Sequence, residues 1–180
     1  MKRTLFIALI IILSQPLSAQ LTEKSTFNGA QLQTIRIPIG GVGTGNLLVG
    51  GRGNIEHVEI FNRPDRQRRL EKTFFSLWVK VPNQEPQVTL LEREILPPYM
   101  DVTHVYAWGL PRMSEAKLTN NYPHVQWDFE DQDIPLDISL EIVNSVIPLD
   151  FEASNYPVAR FKWVLKNPTN KTIDASLAFS

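Results

Sequence analysis

The chain has 180 residues, of which 43% are hydrophobic and 21% charged, and its formal net charge is -1. This apolar content supports one folded core and excludes a disordered chain, while the length leaves little room for a second domain. The near-neutral charge predicts no nucleic-acid partner, and the lack of cysteine excludes disulfides, thiolate metal sites and a cysteine nucleophile.

The first 19 residues have the three parts of an export signal. Lys2 and Arg3 precede an apolar run over residues 5–13, and small residues follow up to Ala19. The run is shorter than the roughly 20 residues that span a bilayer, so an uncleaved anchor is the weaker alternative. We therefore expect cleavage between Ala19 and Gln20 and a periplasmic or extracellular location. Residues 20–34 read as an entry segment, and residues 35–180 as the folded domain.

The folded domain opens with an alternating segment and a glycine cluster. Isoleucines at 35, 37 and 39 alternate with Arg36 and Pro38, and the proline predicts an edge strand. Seven of the nine glycines then fall between Gly40 and Gly53. No Gly-Lys-Ser/Thr follows, as a phosphate loop requires, so we predict no nucleotide partner. The cluster instead indicates structural turns or a loop in close contact with another domain.

Later segments alternate with the period of half-buried strands, over residues 75–81, 125–129, 136–142, 159–165 and 173–179. The turn residues 167–171 predict that the last two strands form a hairpin. The class is all-β, an expected β-sandwich. Trp127 and Trp163 lie on the apolar sides of their strands, whereas Trp78 shares a side with Ser76 and Lys80 and is the better candidate for exposure.

The sequence gives little evidence of catalytic residues. The acids at 128, 130, 131 and 133 fall at a strand end and turn, where solvated carboxylates are expected, and a catalytic glycosidase pair is the weaker alternative. Histidines 57, 104 and 124 are isolated, so we predict no metal site and no cofactor. The basic residues at 63, 66, 68 and 69 suit either a solvated loop or a surface that docks an anionic partner or a second domain.

Several strings resemble, in order, the opening of family 116 glycoside hydrolases, which include β-glucosidases and non-lysosomal glucosylceramidases. They are Ile37–Gly45, Arg52-Gly53, Glu59–Pro64, Gly109–Arg112, Tyr122-Pro123, Ile147–Leu149 and Tyr156–Ala159. The resemblance implies an N-terminal β-sandwich that packs on a large (α/α)6 barrel, with both catalytic carboxylates of a retaining enzyme on the barrel. It therefore implies no catalytic residue in this chain.

The resemblance also implies partners and site residues. The partner is the C-terminal catalytic barrel of the same polypeptide, through which a β-glucoside substrate would be hydrolysed. Residues expected at the interface or behind it are Gly40, Gly41, Gly43, Gly45, Arg52, Glu59, Asn62, Arg63 and Arg112; the same polar residues would equally suit pairing with one another inside the sandwich.

The last strand is still alternating at Ser180, which predicts a sandwich that is incomplete at its C-terminus. An unpaired strand edge would then make the isolated domain prone to aggregate. The alternative function is a stand-alone exported carbohydrate-binding or adhesion module, which would require exposed aromatic side chains on one sheet face.

Overall fold

The computed structural model describes residues 24–61, 70, 72–96 and 109–180. The expected all-β class is confirmed, because these residues contain twelve strands, a 3-10 turn at Gly29–Gln33 and a one-turn helix α1 at Phe151–Ser154. The strands are β1 Ser25–Asn28, β2 Arg36–Ile39, β3 Asn46–Gly50, β4 Ile55–Glu59, β5 Phe75–Lys80, β6 Gln87–Arg93, β7 Arg112–Met113, β8 Glu115–Asn121, β9 His124–Glu130, β10 Asp137–Val143, β11 Phe161–Lys166 and β12 Asp174–Phe179. Within the described ranges, no helix has the length and apolar content needed to cross a bilayer.

The strands form three sheets. Sheet 1 has the order β1-β8-β9-β10-β11, sheet 2 the order β12-β5-β6-β7, and sheet 3 the order β2-β3-β4. All pairs are antiparallel except β6 with β7. The predicted edge strand is confirmed, since β2 pairs only with β3 and Pro38 costs no interior hydrogen bond there.

Alternation builds one core between the sheets. Along β9, residues 125, 127 and 129 are buried, and along β10 residues 138, 140 and 142 are buried, whereas the residues between them face outward. Leu77 and Val79 of sheet 2 and Ile39 and Val49 of sheet 3 join the same apolar cluster. Trp127 is fully buried at its centre, and its indole N–H donates to the carbonyl of Gly51 at 2.9 Å. The sandwich thus rests on apolar burial from all three sheets.

The predicted hairpin of the last two strands is wrong. The turn forms as expected, with Asn167 Oδ1 accepting from the Thr169 backbone N–H and Asn167 Nδ2 donating to the Lys171 carbonyl. However, β11 pairs with β10 in sheet 1, and β12 pairs with β5 in sheet 2. Period-2 alternation reports which side of a strand is apolar, and not which strand lies beside it. The turn therefore carries the chain from one layer of the sandwich to the other.

The remaining tryptophans are only partly covered. Trp163 is half-buried and packs against the core, where its ring lies 5.3 Å from that of Phe75. Trp78 is also half-buried, on the outer side of sheet 2 between Ser176 and Val88 of the neighbouring strands. The side chain of Trp78, which was expected to be exposed, is therefore only partly accessible to solvent. Trp108 lies outside the described residues.

Candidate functional site

The glycine-rich loop, residues 40–45, joins β2 to β3 and lies against a distant segment of the chain. A Cβ atom built on Gly41 would lie 2.4 Å from the carbonyl oxygen of Tyr156, a distance that no real side chain tolerates. The Val42 backbone N–H donates to the carbonyl of Ser154 at 2.8 Å. The close approach that the glycines permit is thus made to this chain's own backbone, while Val42 and Gly43 stay exposed on the outside of the loop.

The far side of the loop is held by β4. Gly45 has φ +105°, and a Cβ there would lie 2.5 Å from the Glu59 carbonyl oxygen and 3.3 Å from Ile60. Only glycine satisfies both the backbone angle and this contact. The loop is therefore fixed between the end of β4 on one side and residues 154–156 on the other.

The segment against which the loop packs is built by local hydrogen bonds. Residues 147–150 form a turn closed by the Asp150 N–H and the Ile147 carbonyl at 3.1 Å, with Pro148 leading into Leu149. The Asp150 carboxylate then caps α1 by accepting from the Ala153 N–H at 2.9 Å. The buried Ser154 hydroxyl accepts from the Ile147 N–H and donates to its carbonyl, which ties the helix back to the turn. The turn, cap and helix form one unit.

This unit and the loop expose an unusual number of large apolar side chains. We call them the glycine-loop surface: Val42, Ile60, Phe61, Ile147, Leu149, Phe151, Tyr156 and Val158. Leu149 is 99% exposed and Phe61 86% exposed. Exposed apolar side chains in this number make the glycine-loop surface a candidate for contact with another macromolecule.

Two members of the glycine-loop surface also hold a costly backbone conformation. Leu149 has φ 67° and Phe61 has φ 57°, in the left-handed region that side chains with a Cβ avoid. The only other non-glycine residue there among those described is Asn83, which suits such a turn. Leu149 occupies the third position of its turn, where glycine or asparagine is favoured. A costly backbone angle at an exposed apolar residue makes Leu149 and Phe61 candidates for a functional contact.

The same end of the domain gathers most of the strings that carry the family resemblance. The Asn144 backbone N–H donates to the Pro123 carbonyl at 2.9 Å, and its side-chain amide donates to the Pro38 carbonyl at 3.3 Å. Together with the contacts of Gly41 and Gly45, these bonds join the strings beginning at residues 37, 59, 122, 147 and 156. Segments far apart in sequence therefore meet at one surface.

A second group of residues lies at the other matched strings. We call it the arginine cluster: Arg52, Glu92, Arg93 and Arg112, whose charged side chains are largely buried. The Glu92 carboxylate accepts from Arg112 Nε at 2.5 Å, and Arg52 Nη1 lies 3.8 Å from the same oxygen. Arg52 also donates to the Arg93 carbonyl at 2.7 Å. Burial lowers the pKa of Arg52, and the nearby Glu92 opposes that shift. Both arginines therefore share one glutamate as an ion-pair partner.

Arg93 extends the cluster. Its side chain is only 2% exposed and donates through Nε and Nη2 to Glu115 Oε2 at 3.1 and 3.0 Å. The Arg93 backbone N–H donates to the Arg52 carbonyl at 2.9 Å, which joins β6 to the β3–β4 turn. Arg93 thus links sheet 2 to β8 of sheet 1 through Glu115, and to the β3–β4 turn of sheet 3 through Arg52.

Comparison with known proteins matches residues 37–180 to the family described as beta-glucosidase 2, glycosyl-hydrolase family 116 N-term. The chain belongs to this family. The matched range starts inside β2 and includes the glycine-loop surface and the arginine cluster, so both features are parts of the family 116 N-terminal domain. No curated protein matches the chain.

The predicted site residues of this family 116 domain separate into three groups. Gly40, Gly41, Gly43, Gly45 and Glu59 lie at the glycine loop and the end of β4 that supports it. Arg52 and Arg112 both pair with Glu92, which was not among the predicted residues. Asn62, Arg63, Ala19 and Gln20 lie outside the described residues.

The sequence analysis did not select Glu92 and Arg93 of the arginine cluster, or Leu149 of the glycine-loop surface. Glu92 and Arg93 are adjacent charges at the end of an apolar strand, a pattern that could have indicated a buried ion pair. Leu149 carried a weaker signal, because a leucine between proline and aspartate fits a turn better than a core position. Its full exposure could not be read from the sequence.

Proposed function

We propose that this chain is the non-catalytic N-terminal domain of an exported family 116 enzyme that hydrolyses β-glucosidic bonds, and that the glycine-loop surface holds the catalytic barrel of the same polypeptide. The observation that carries the proposal is the meeting of five matched strings at a surface rich in exposed apolar side chains. Covering such a surface would stabilise the contact between the two domains, because burial of apolar area is favourable by about 25 cal/mol per Å².

The charges of the described residues support a non-catalytic role. Retaining glycosidases use two carboxyl groups about 5 to 5.5 Å apart, with room between them for the sugar. In the described part of the chain, Glu92 is the one buried acid, and two arginines occupy it. Asp150 at the glycine-loop surface caps α1. Both acids thus have structural partners, and the proposed chemistry is assigned to the barrel.

Export is the second part of the proposal and rests on residues 1–19. A charged start, an apolar run and small residues before Gln20 fit a cleaved signal. A sandwich without cysteine needs no disulfide to fold, so it would fold in either a periplasmic or an extracellular setting.

The test is recovery of activity with the domain. Antibodies raised against residues 24–180 should precipitate, from the exported fraction of source cells, an activity that hydrolyses a chromogenic β-glucoside and leaves the α-anomer intact. Antibodies to an unrelated exported protein serve as the control. The purified 180-residue chain should itself be inactive. An inactive precipitate that contains only a chain at or just below 20.5 kDa would contradict the proposal.

In that event the alternative function, a carbohydrate-binding module, would be tested by titrating the chain with soluble β-glucan and following tryptophan fluorescence. The ring available for stacking on an outer sheet face is that of Trp78, half-buried beside Val88. Loss of the fluorescence change in Trp78→Ala would support a binding module.

A further inference from the structure

A polar hollow of about 180 Å³ lies on the outer side of sheet 1, at the end where a hairpin joins β8 to β9. Leu118, Trp127 and Leu140 face the core, so the residues next to them along the strands face outward. The polar side chains that line the hollow are those of Lys24, Thr119, Asn121, His124, Gln126 and Glu141. Five of the six belong to β8, β9 and β10, so the sheet itself holds them in place.

Strand register brings these polar side chains together in cross-strand pairs. Thr119 lies directly opposite Gln126, and Gln126 lies directly opposite Glu141. Asn121 lies opposite His124 at the end of the hairpin. Directly opposed side chains on one face of an antiparallel pair have Cβ atoms about 4.5 to 5.5 Å apart. A hydroxyl, two amides, an imidazole and a carboxylate therefore converge on one small area.

Most of these groups keep their hydrogen-bonding capacity for another molecule. Within the described ranges, the side chains of Thr119, Asn121 and His124 make no hydrogen bond. Thr119 is only 7% exposed and is the most buried of the polar lining residues. Gln126 Nε2 donates to Asp128 Oδ1 at 2.6 Å, which leaves the Gln126 amide oxygen as an acceptor. The hollow thus offers both donors and acceptors.

The charges around the hollow favour an uncharged ligand. Glu141 Oε2 accepts from Lys162 Nζ at 2.7 Å, so that carboxylate already has a counter-charge. Lys24 is the other charged lining residue, and a single exposed ammonium gives little attraction for an anion. The described residues contain no group of three or more acids and histidines that could hold a metal ion. Neutral hydroxyl groups, which both donate and accept, match the remaining side chains.

An apolar contribution lies beside these polar groups. Tyr122 follows Asn121 in the turn of the hairpin and is 52% exposed. Val143 lines the hollow, lies opposite His124 and is 45% exposed. A pyranose ring carries C–H groups as well as hydroxyls, so it can use an aromatic or aliphatic side chain together with polar ones. This combination separates a sugar ring from a simple polar solute.

We propose that the hollow binds one pyranose unit of a neutral saccharide, whose hydroxyl groups contact Thr119, Asn121, His124 and Gln126. The site lies on sheet 1, whereas Trp78 lies on the outer side of sheet 2. Binding at the hollow requires neither Trp78 nor a catalytic barrel. The inference is therefore independent of the function proposed above.

Proton NMR of the chain can measure binding at the hollow itself. The chain has three histidines, and the ring signal of His124 is the one that His124→Gln removes. Methyl β-glucoside, added through the millimolar range, should shift this signal until it saturates. Glucitol, an open-chain polyol, is the control ligand and should leave the signal unchanged at the same concentrations.

Two variants test which side chains bind the sugar. Thr119→Val removes the hydroxyl while nearly keeping the shape of the side chain, and it should weaken binding about threefold to tenfold. Ser139→Ala is the matched control, because it removes a hydroxyl from the same outer side of sheet 1 at a position that does not line the hollow. It should leave the affinity unchanged. Thermal unfolding followed by circular dichroism would confirm that both variants fold.

The absence of a saturable shift, or an equal shift with glucitol, would overturn the proposal. Equal affinities of Thr119→Val and Ser139→Ala would also overturn it. A shift caused by inorganic phosphate and not by the glucoside would contradict it as well, by indicating an anion at Lys24. These experiments do not measure β-glucosidase activity, so this inference and the proposed function fail independently.

Discussion

Replacing Leu149 with asparagine should change the stability of the isolated domain and that of the parent enzyme in opposite directions. In the isolated domain the leucine side chain is 99% exposed and contributes almost nothing to the core. Its φ of 67° carries a left-handed cost of about 1 to 2 kcal/mol, part of which asparagine avoids. We expect Leu149→Asn to stabilise the isolated chain by about 0.5 to 1 kcal/mol.

In the parent enzyme the same change should be unfavourable. If the catalytic domain covers Leu149, the substitution removes about 1.5 to 3 kcal/mol of apolar burial from the contact. The proposed β-glucosidase activity should then be lost at a lower temperature than in the unmodified enzyme. Urea unfolding followed by tryptophan fluorescence measures the first effect, and residual activity after heating measures the second.

Val88→Asn is the matched control. Val88 is 50% exposed on β6, in ordinary strand geometry and away from the glycine-loop surface. Asparagine there should destabilise the isolated chain by up to about 1 kcal/mol, because it packs poorly on a strand. The reasoning is refuted if Leu149→Asn destabilises the isolated chain as Val88→Asn does, or if heat inactivation of the parent enzyme is unchanged.

Three further predictions concern other parts of the domain. Glu92→Gln removes the carboxylate that Arg112 and Arg52 share and should cost about 3 to 5 kcal/mol in urea unfolding, whereas Glu141→Gln, in an exposed pair, should cost under about 1 kcal/mol; equal costs would contradict the buried network. Gly41→Ala forces a methyl group against a backbone oxygen and should cost about 1 to 3 kcal/mol, so an unchanged urea midpoint would contradict the loop packing. The mature protein should begin at Gln20 on N-terminal sequencing, and retention of Met1 would refute the cleaved signal.

The strands could be predicted because each buries one side, and burial leaves a period of two in the sequence. Trp127 is an example, since its neighbours Gln126 and Asp128 face outward while it fills the core. The partner of each strand could not be predicted in the same way. β11 and β12 are joined by a short turn and still belong to different sheets, because packing of their apolar sides on both layers outweighs local pairing.

The candidate site was predictable only in part. The glycine cluster correctly indicated close backbone contact, but the sequence did not show that Gly41 packs on Tyr156, since that contact depends on the whole fold. Arg52 and Arg112 were selected through the resemblance, and their shared partner Glu92 was not, because ion pairs between distant strands leave no spacing to read. Exposure of Leu149 is likewise a property of the folded surface.

Covalent labelling with hydroxyl radicals would test the central claim most directly, by comparing the native protein from source cells with the isolated chain. Phe61, Phe151 and Tyr156 are exposed on the glycine-loop surface of the isolated domain and should label readily there. If this surface holds the catalytic barrel, these residues will be protected in the native protein, while Val88 on the outer side of sheet 2 will label equally in both. Equal labelling of all four residues in the two samples would contradict the account.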